Sequence, residues 1–135
     1  MKSSKLEFKT PDETETVFYE AFRLCDKDVM AVLWAEGDVV CVHPSTAAIV
    51  GHEAVVRSWA HIFTDATMPE LKYTVGKRTV SGDLAVHLVK EEIGASGEAA
   101  VVFCTNVYQK IDNSWFMIEH HASVMPLLTQ GQTLQ

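Results

Sequence analysis

Apolar positions recur with one period in the first half of the chain and with another in the second. Before residue 65 they come at helical spacing. Val17, Phe18, Ala21, Phe22 and Cys25 make one stripe, introduced by Thr10 as N-cap, Pro11 at the first helical position and Glu13 placed to close a capping box. Asp26 then caps a short second helix through Val29, Met30, Leu33 and Trp34, with Gly37 as its left-handed stop. Residues 38–43 (DVVCVH) read as a strand ending at Pro44. Ser45 and Thr46 form a turn, and residues 47–50 form a second short strand, so the pair makes an edge hairpin. Gly51 precedes a third helix with Val55, Val56, Trp59, Ile62 and Phe63 on one face, ending before Pro69.

From Leu71 onward the spacing shifts to that of strands. Runs rich in Val, Ile, Tyr, Phe and Thr span about 71–81, 84–93, 99–110 and 114–124, divided by Ser81-Gly82-Asp83, by residues 94–98 and by Asp112-Asn113. Helices followed by a meander predict an α+β cone-shaped barrel, with three N-terminal helices packed in a curved mixed or antiparallel sheet. Residues 1–10 read as a flexible arm, 11–125 as one domain and 126–135 as a tail. Alternation puts Cys104, Asn106 and Tyr108 on one face of the third long strand. On the last strand it groups Trp115, Met117, Glu119, His121 and Ser123 against Phe116, Ile118 and His120.

Composition narrows the function classes. The 135 residues are 47% hydrophobic and 21% charged, enough for one packed core and too few for two domains. A formal charge of −7 without a basic cluster argues against nucleic acid as a partner. Three widely spaced cysteines suggest reduced thiols, and no leader-like apolar segment or membrane span is visible, so a cytoplasmic protein is expected.

Among titratable groups His43 stands out, because it ends a strand in an apolar context and Pro44 directs the chain out. An imidazole near its ordinary pKa of about 6.5 serves as general base or acid at neutral pH, or simply bonds a turn carbonyl. Tyr19 flanks the first apolar stripe, where its hydroxyl reaches either a cavity or solvent. Phe18, Trp34, Trp59, Phe63 and Cys104 are the expected wall of an apolar pocket, and core packing accounts for the same aromatic groups. His52 and His61 read as surface groups, and His87 receives no role. Adjacent His120 and His121 point to opposite faces and cannot share one metal, and no HxH or HExxH pattern occurs, so neither metal nor cofactor is expected. Nucleophile-elbow, P-loop and dinucleotide signatures are absent from the sequence.

Three strings, DKDVMAVLWAEGDVVCVHP, IVGHEAVVRSW and TNVYQKIDNSWFMIEHHAS, carry a resemblance to the nuclear transport factor 2-like superfamily, in its SnoaL-like and ketosteroid isomerase-related branch. The resemblance implies the cone fold and leaves activity to the site, since this fold hosts isomerases, cyclases, dehydratases and binding domains. The isomerase places an Asp base before Pro at the end of the first strand, where this chain has His43-Pro44. Its oxyanion-hole acid corresponds to Asn106, which still donates a hydrogen bond. Its tyrosine falls on Phe18 or on Tyr19, depending on the alignment. His121 is an auxiliary acid/base group if its face is the concave one.

Two function classes follow. The first is an isomerase, cyclase or dehydratase acting by proton transfer on a small apolar or carbonyl-containing molecule, with His43, Asn106, Tyr19 and His121 as its catalytic set. The second is a non-catalytic ligand-binding or assembly domain. A homodimer through the sheet is expected in either case.

Overall fold

A computed structural model of the chain describes residues 6–65, 70–94 and 99–126. Helices α1 (Pro11–Leu24) and α2 (Lys27–Leu33) are followed by strands β1 (Val40–Val42) and β2 (Ile49–Val50) and by helix α3 (His52–Asp65). Four long strands complete the domain: β3 (Leu71–Ser81), β4 (Leu84–Ile93), β5 (Ala100–Ile111) and β6 (Ser114–Val124). They join the hairpin in one sheet ordered β2-β1-β6-β5-β4-β3. All neighbours run antiparallel except β1 and β6, which are parallel and set Cys41 beside His120. The sheet is mixed and does not close, because β2 and β3 are its two edges. The expected cone is therefore open and is not a closed barrel.

Local signals explain the element starts. Thr10 Oγ1 accepts the Glu13 N–H at 3.1 Å, and Glu13 reaches back to the Lys9 N–H at 2.9 Å, one residue earlier than the usual capping box. Asp26 Oδ1 accepts the Val29 N–H at 3.1 Å. The expected extension of α2 to Trp34 and a Gly37 stop does not occur. Trp34 is already extended and bridges to Met117, because burying its indole under β6 outweighs one more helical residue. Gly37, at φ 100°, lies in the following turn instead. Asp112 and Asn113, both at positive φ, form the two-residue β5–β6 hairpin turn.

A bulge in β6 matters most for function. Asn106 pairs with His120 and Val107 with Glu119, but Tyr108 pairs with Met117, so Ile118 is the extra residue. It reverses the alternation within the strand. Trp115 and Met117 face inward before it, and His120 and Ala122 face inward after it.

The core lies between the concave face of the sheet and the helices. Phe18 meets Trp59 edge-on at 5.5 Å, and Tyr19 stacks on Tyr73 at 4.1 Å. Val55, Met30, Leu33, Val89 and Val102 fill the spaces around these rings. The arm expected over residues 1–10 is not loose where it is described. Phe8 is 3% exposed, its N–H donates to Ser114 Oγ at 2.8 Å, and its carbonyl accepts the Trp115 N–H at 2.9 Å. Residues 1–5 of that arm, Pro69, most of the β4–β5 connection and the tail from residue 127 lie outside the described residues. Among the described residues no helix is long and apolar enough to cross a membrane.

Because Phe8 plugs the base of β6, Phe8→Ala should cost about 3 kcal/mol of unfolding free energy, the lower end for a buried Phe→Ala. Urea denaturation tests this, and a loss below about 1 kcal/mol would contradict a docked arm.

Candidate functional site

The buried face of α1 is not purely apolar: Thr14 and Glu15 precede Phe18 and Tyr19 on it. All four face the concave side of β4, β5 and β6. Thr14 Oγ1 donates to the Trp115 carbonyl at 2.8 Å. Glu15 Oε1 lies 3.0 Å from His87 Nδ1, and Oε2 accepts the Tyr108 hydroxyl at 2.7 Å. Tyr19 donates to Glu91 Oε2 at 2.7 Å and accepts from Asn106 Nδ2 at 3.0 Å. The second Asn106 amide hydrogen reaches Glu15 Oε2 at 3.4 Å. Asn106 Oδ1 therefore faces His120 Nδ1, 2.6 Å away, so Nδ1 carries the proton and Nε2 keeps its lone pair. Glu15, Tyr19, His87, Glu91, Asn106, Tyr108 and His120 are each at most 2% exposed.

Burial dominates the electrostatics of this interior. It pushes the Glu91 carboxyl up, against the opposing hydrogen bond from Tyr19. It raises the Tyr19 and Tyr108 hydroxyls well above the usual tyrosine value and raises the Cys104 thiol strongly, with Glu91 adding to the Tyr19 and Cys104 shifts and Glu15 to that of Tyr108. It lowers His120 to about 3, helped by His43 and His121. At one end of the network Asp12, bonded to Arg78 at 2.9 Å, approaches His87 Nε2 at 3.8 Å. The indole N–H groups of Trp34 and Trp59 have no hydrogen-bond partner among the described residues.

His43 belongs to a second locus. Its ring stands edge-on to Trp59 at 4.7 Å, and its Nε2 lies 2.9 Å from Ser58 Oγ. Ser58 donates its own hydrogen to the Val55 carbonyl at 2.7 Å, so it accepts from His43 Nε2–H and the lone pair falls on Nδ1, which the Cys41 thiol sulfur approaches at 4.0 Å. That order also removes Ser58 as a nucleophile activated by His43. Burial lowers the His43 pKa, keeping the ring neutral at pH 7. The imidazole lines a groove of about 550 Å³ between α3 and the β1–β2 hairpin, with Ile49, Ala54, Arg57, Ser58 and Ile62 among its walls.

The structure brings Tyr19 and Asn106 together and sets His43 apart from them, across Trp59. Trp59 also packs against Phe18 and His120, at 5.5 and 5.9 Å. The hydroxyl that enters the interior is that of Tyr19; Phe18 packs among the rings. Asn106 is not free to polarise a ligand carbonyl, because Tyr19 and Glu15 take both of its amide hydrogens. The expectation for His121 needs correction. The Ile118 bulge turns His121 to the exposed outer face and puts His120 inside. Phe18, Trp34, Trp59 and Cys104 are buried and Phe63 is partly buried. Sequence reasoning missed Glu15, His87, Glu91 and His120, and it placed Tyr108 on the face of Asn106 without giving it a role. Its one available signal was a glutamate at an inward position of α1 and another alternating with Val89 on β4, a pattern that solvated faces also produce.

The His120 shift has a sign that can be tested. Its folded pKa lies below the unfolded value, so its contribution to stability is fully present above about pH 6.5 and is lost as pH falls toward 3. At about 1.4 kcal/mol per unit, it removes about 3 kcal/mol by pH 4. Unfolding of His120→Gln across this range should show a correspondingly shallower loss than wild type; parallel curves would refute the assignment.

Comparison with known proteins agrees with this architecture. A SnoaL-like domain model matches residues 13–127. A candidate calcium/calmodulin-dependent protein kinase type II association domain from Thiobacillus denitrificans is 31% identical, with 90% of this chain and 100% of that one covered and a TM-score of 0.85. A candidate dehydratase of the nuclear transport factor 2-like family from Streptomyces avermitilis is 28% identical, covers 86% of this chain and 99% of its own, and has a TM-score of 0.75. The F-box protein SKIP8 of Arabidopsis thaliana is 28% identical over 111 residues, 82% of this chain, which spans only 47% of that protein's length. With most of its length matched by the family and its helices packed on an open six-stranded mixed sheet, the chain belongs to the SnoaL-like domain family, on the nuclear transport factor 2-like α+β cone.

Proposed function

We propose that this protein binds a small, largely apolar organic molecule beside His43 and moves a proton on it, as an isomerase or lyase does. One observation carries the reading: a neutral, partly desolvated imidazole lines an open groove with Ile49, Ala54 and Ile62 in its walls. A base held neutral at pH 7 abstracts a proton next to a carbonyl, or assists loss of water from a β-hydroxy compound. Arg57, exposed at the same groove and paired with Glu53 at 2.8 Å, supplies positive charge for a developing oxyanion or for a carboxylate of the substrate when it exchanges that partner. The candidate dehydratase among the relatives supports this class of chemistry. Tyr19 and Asn106 support the site indirectly, by holding the rings that back His43. Free cysteines at 25, 41 and 104 fit a reducing, cytoplasmic setting.

A second reading, assembly, rests on the outer face of the sheet. Leu88 and Phe103 are 48% and 49% exposed there and share one groove, and Leu84, in phase with Leu88 on β4, is exposed on the same face. We infer a homodimer through this face, a reading favoured by the candidate association domain among the relatives.

His43→Ala should reduce turnover of a cyclic enone or β-hydroxy carbonyl substrate found by screening at least about 100-fold. Its melting temperature should stay within a few degrees of wild type. Retained turnover would defeat the assignment, and a collapse in stability would make His43 structural. Independently, Phe103→Asp should convert the dimer to monomer in sedimentation velocity at micromolar concentration; a wild type already monomeric there would remove the assembly reading.

A further inference from the structure

Away from the His43 groove, three side chains with metal-ligating atoms converge in the cone. Glu91 on β4, Cys104 on β5 and His120 on β6 each place one ligand atom within 4.8 Å of the others. They are 1%, 4% and 1% exposed. Adjacent strands of one sheet hold them, so their backbone positions are set by the β4–β5 and β5–β6 ladders and not by mobile loops. The expectation of no metal rested on His120 and His121 facing apart, but this cluster uses His120 alone.

Two further features separate the cluster from an ordinary buried hydrogen-bond network. The first is the histidine tautomer. His120 donates Nδ1–H to Asn106 Oδ1 at 2.6 Å, which leaves Nε2 as the ring nitrogen with a lone pair to offer a metal, and no hydrogen bond engages it among the described residues. A carbonyl that fixes one ring nitrogen while the other ligates is the usual outer-shell arrangement of metal-bound histidine. The second is charge. Among the described residues no cation pairs with Glu91, whose partners there are the Tyr19 hydroxyl and the Cys104 thiol. The other grouping of this kind, Asp12, Glu15 and His87, differs: Arg78 lies 2.9 Å from Asp12 and His87 lies 3.0 Å from Glu15. At that end of the cone Asp12 has the Arg78 guanidinium as its counter-charge, whereas no such cation stands beside Glu91 among the described residues.

We propose that Glu91, Cys104 and His120 form a zinc-binding site. A thiolate, a carboxylate and a neutral imidazole neutralise a divalent cation, so the occupied site carries no net charge. The thiolate and imidazole favour zinc over magnesium or calcium, which prefer all-oxygen shells. Metal–ligand bonds of about 2.0–2.3 Å require the three atoms to draw in by about 1 Å, a change that side-chain rotation supplies. Binding releases the Cys104 proton, so affinity rises with pH. Three protein ligands leave a fourth position open, as in zinc sites that bind water or substrate. The proposal goes beyond the proton-transfer reading, which needs no metal and uses His43.

The test is metal stoichiometry, so its failure is separate from any failure of activity. Wild-type protein refolded from urea with Zn²⁺ and passed over a desalting column should retain one Zn²⁺ per chain. Refolded with Co²⁺, it should show a thiolate-to-cobalt charge-transfer band in the near ultraviolet. Cys104→Ser should abolish that band, and Cys104→Ser and His120→Gln should each weaken zinc binding more than about tenfold, whereas Cys25→Ser and His61→Gln should bind as wild type does. Asn106→Ala, which frees the His120 tautomer, should weaken binding about ten- to a hundredfold. Wild type emerging without metal, or metal retained by both Cys104→Ser and His120→Gln, overturns the site.

Discussion

Asn106, at the centre of the concave face of β5, uses each end of its amide. One hydrogen goes to Tyr19 and the other to Glu15, both on α1, and the carbonyl accepts from His120 on β6. One side chain thereby ties the first helix to two neighbouring strands in a place where water cannot substitute for a missing partner. A buried polar network of this kind tolerates no partial satisfaction, because each unmatched group costs its full desolvation. The rotamer of Tyr19, the tautomer of His120 and the environment of Glu91 all follow from how Asn106 is placed. Changing it would disturb three elements at once.

The same arrangement divides the molecule into two chemical regions. Inside the cone, Tyr19, Tyr108 and Asn106 commit their hydrogens to internal acceptors, while the Trp34 and Trp59 indole N–H groups and one nitrogen of the His120 ring have no partner among the described residues. Outside it, beyond Trp59, the His43 imidazole lines an open groove. Trp59 forms the wall between them, touching Phe18 and His120 on one side and His43 on the other. Fold membership alone does not say which region does chemistry, since cones of this kind serve many activities. The division comes from particular residues: His43 where the isomerase resemblance expects an Asp, and Asn106 where it expects an acid.

Much of the fold is legible in local patterns. Thr10, Asp26 and the Asp112-Asn113 turn act through bonds or dihedrals within a few residues of themselves, so the starts of α1 and α2 and the β5–β6 hairpin follow from neighbouring residues. The period-two runs place β3, β4 and β6 at their observed bounds. His43 is likewise visible, because Pro44 beside it is a covalent fact about the chain. The inward set Cys104, Asn106 and Tyr108 follows from alternation in β5, which is uninterrupted in that stretch.

What depended on three-dimensional assembly was the register of β6 and the destination of every buried polar group. The extra residue at Ile118 inverts the pleat because β6 must satisfy β5 on one side and β1 on the other, and those partners lie far away in sequence. Alternation counted along one strand cannot register that insertion, so His121 and His120 exchange faces. Glu15 and Glu91 present the same difficulty: a carboxylate on a stripe or pleat looks solvated until Tyr108, Asn106, His87 and Tyr19 arrive from other elements to bond it. Short-range geometry is written in residue order, whereas burial and hydrogen-bond partnership exist only once distant segments have met.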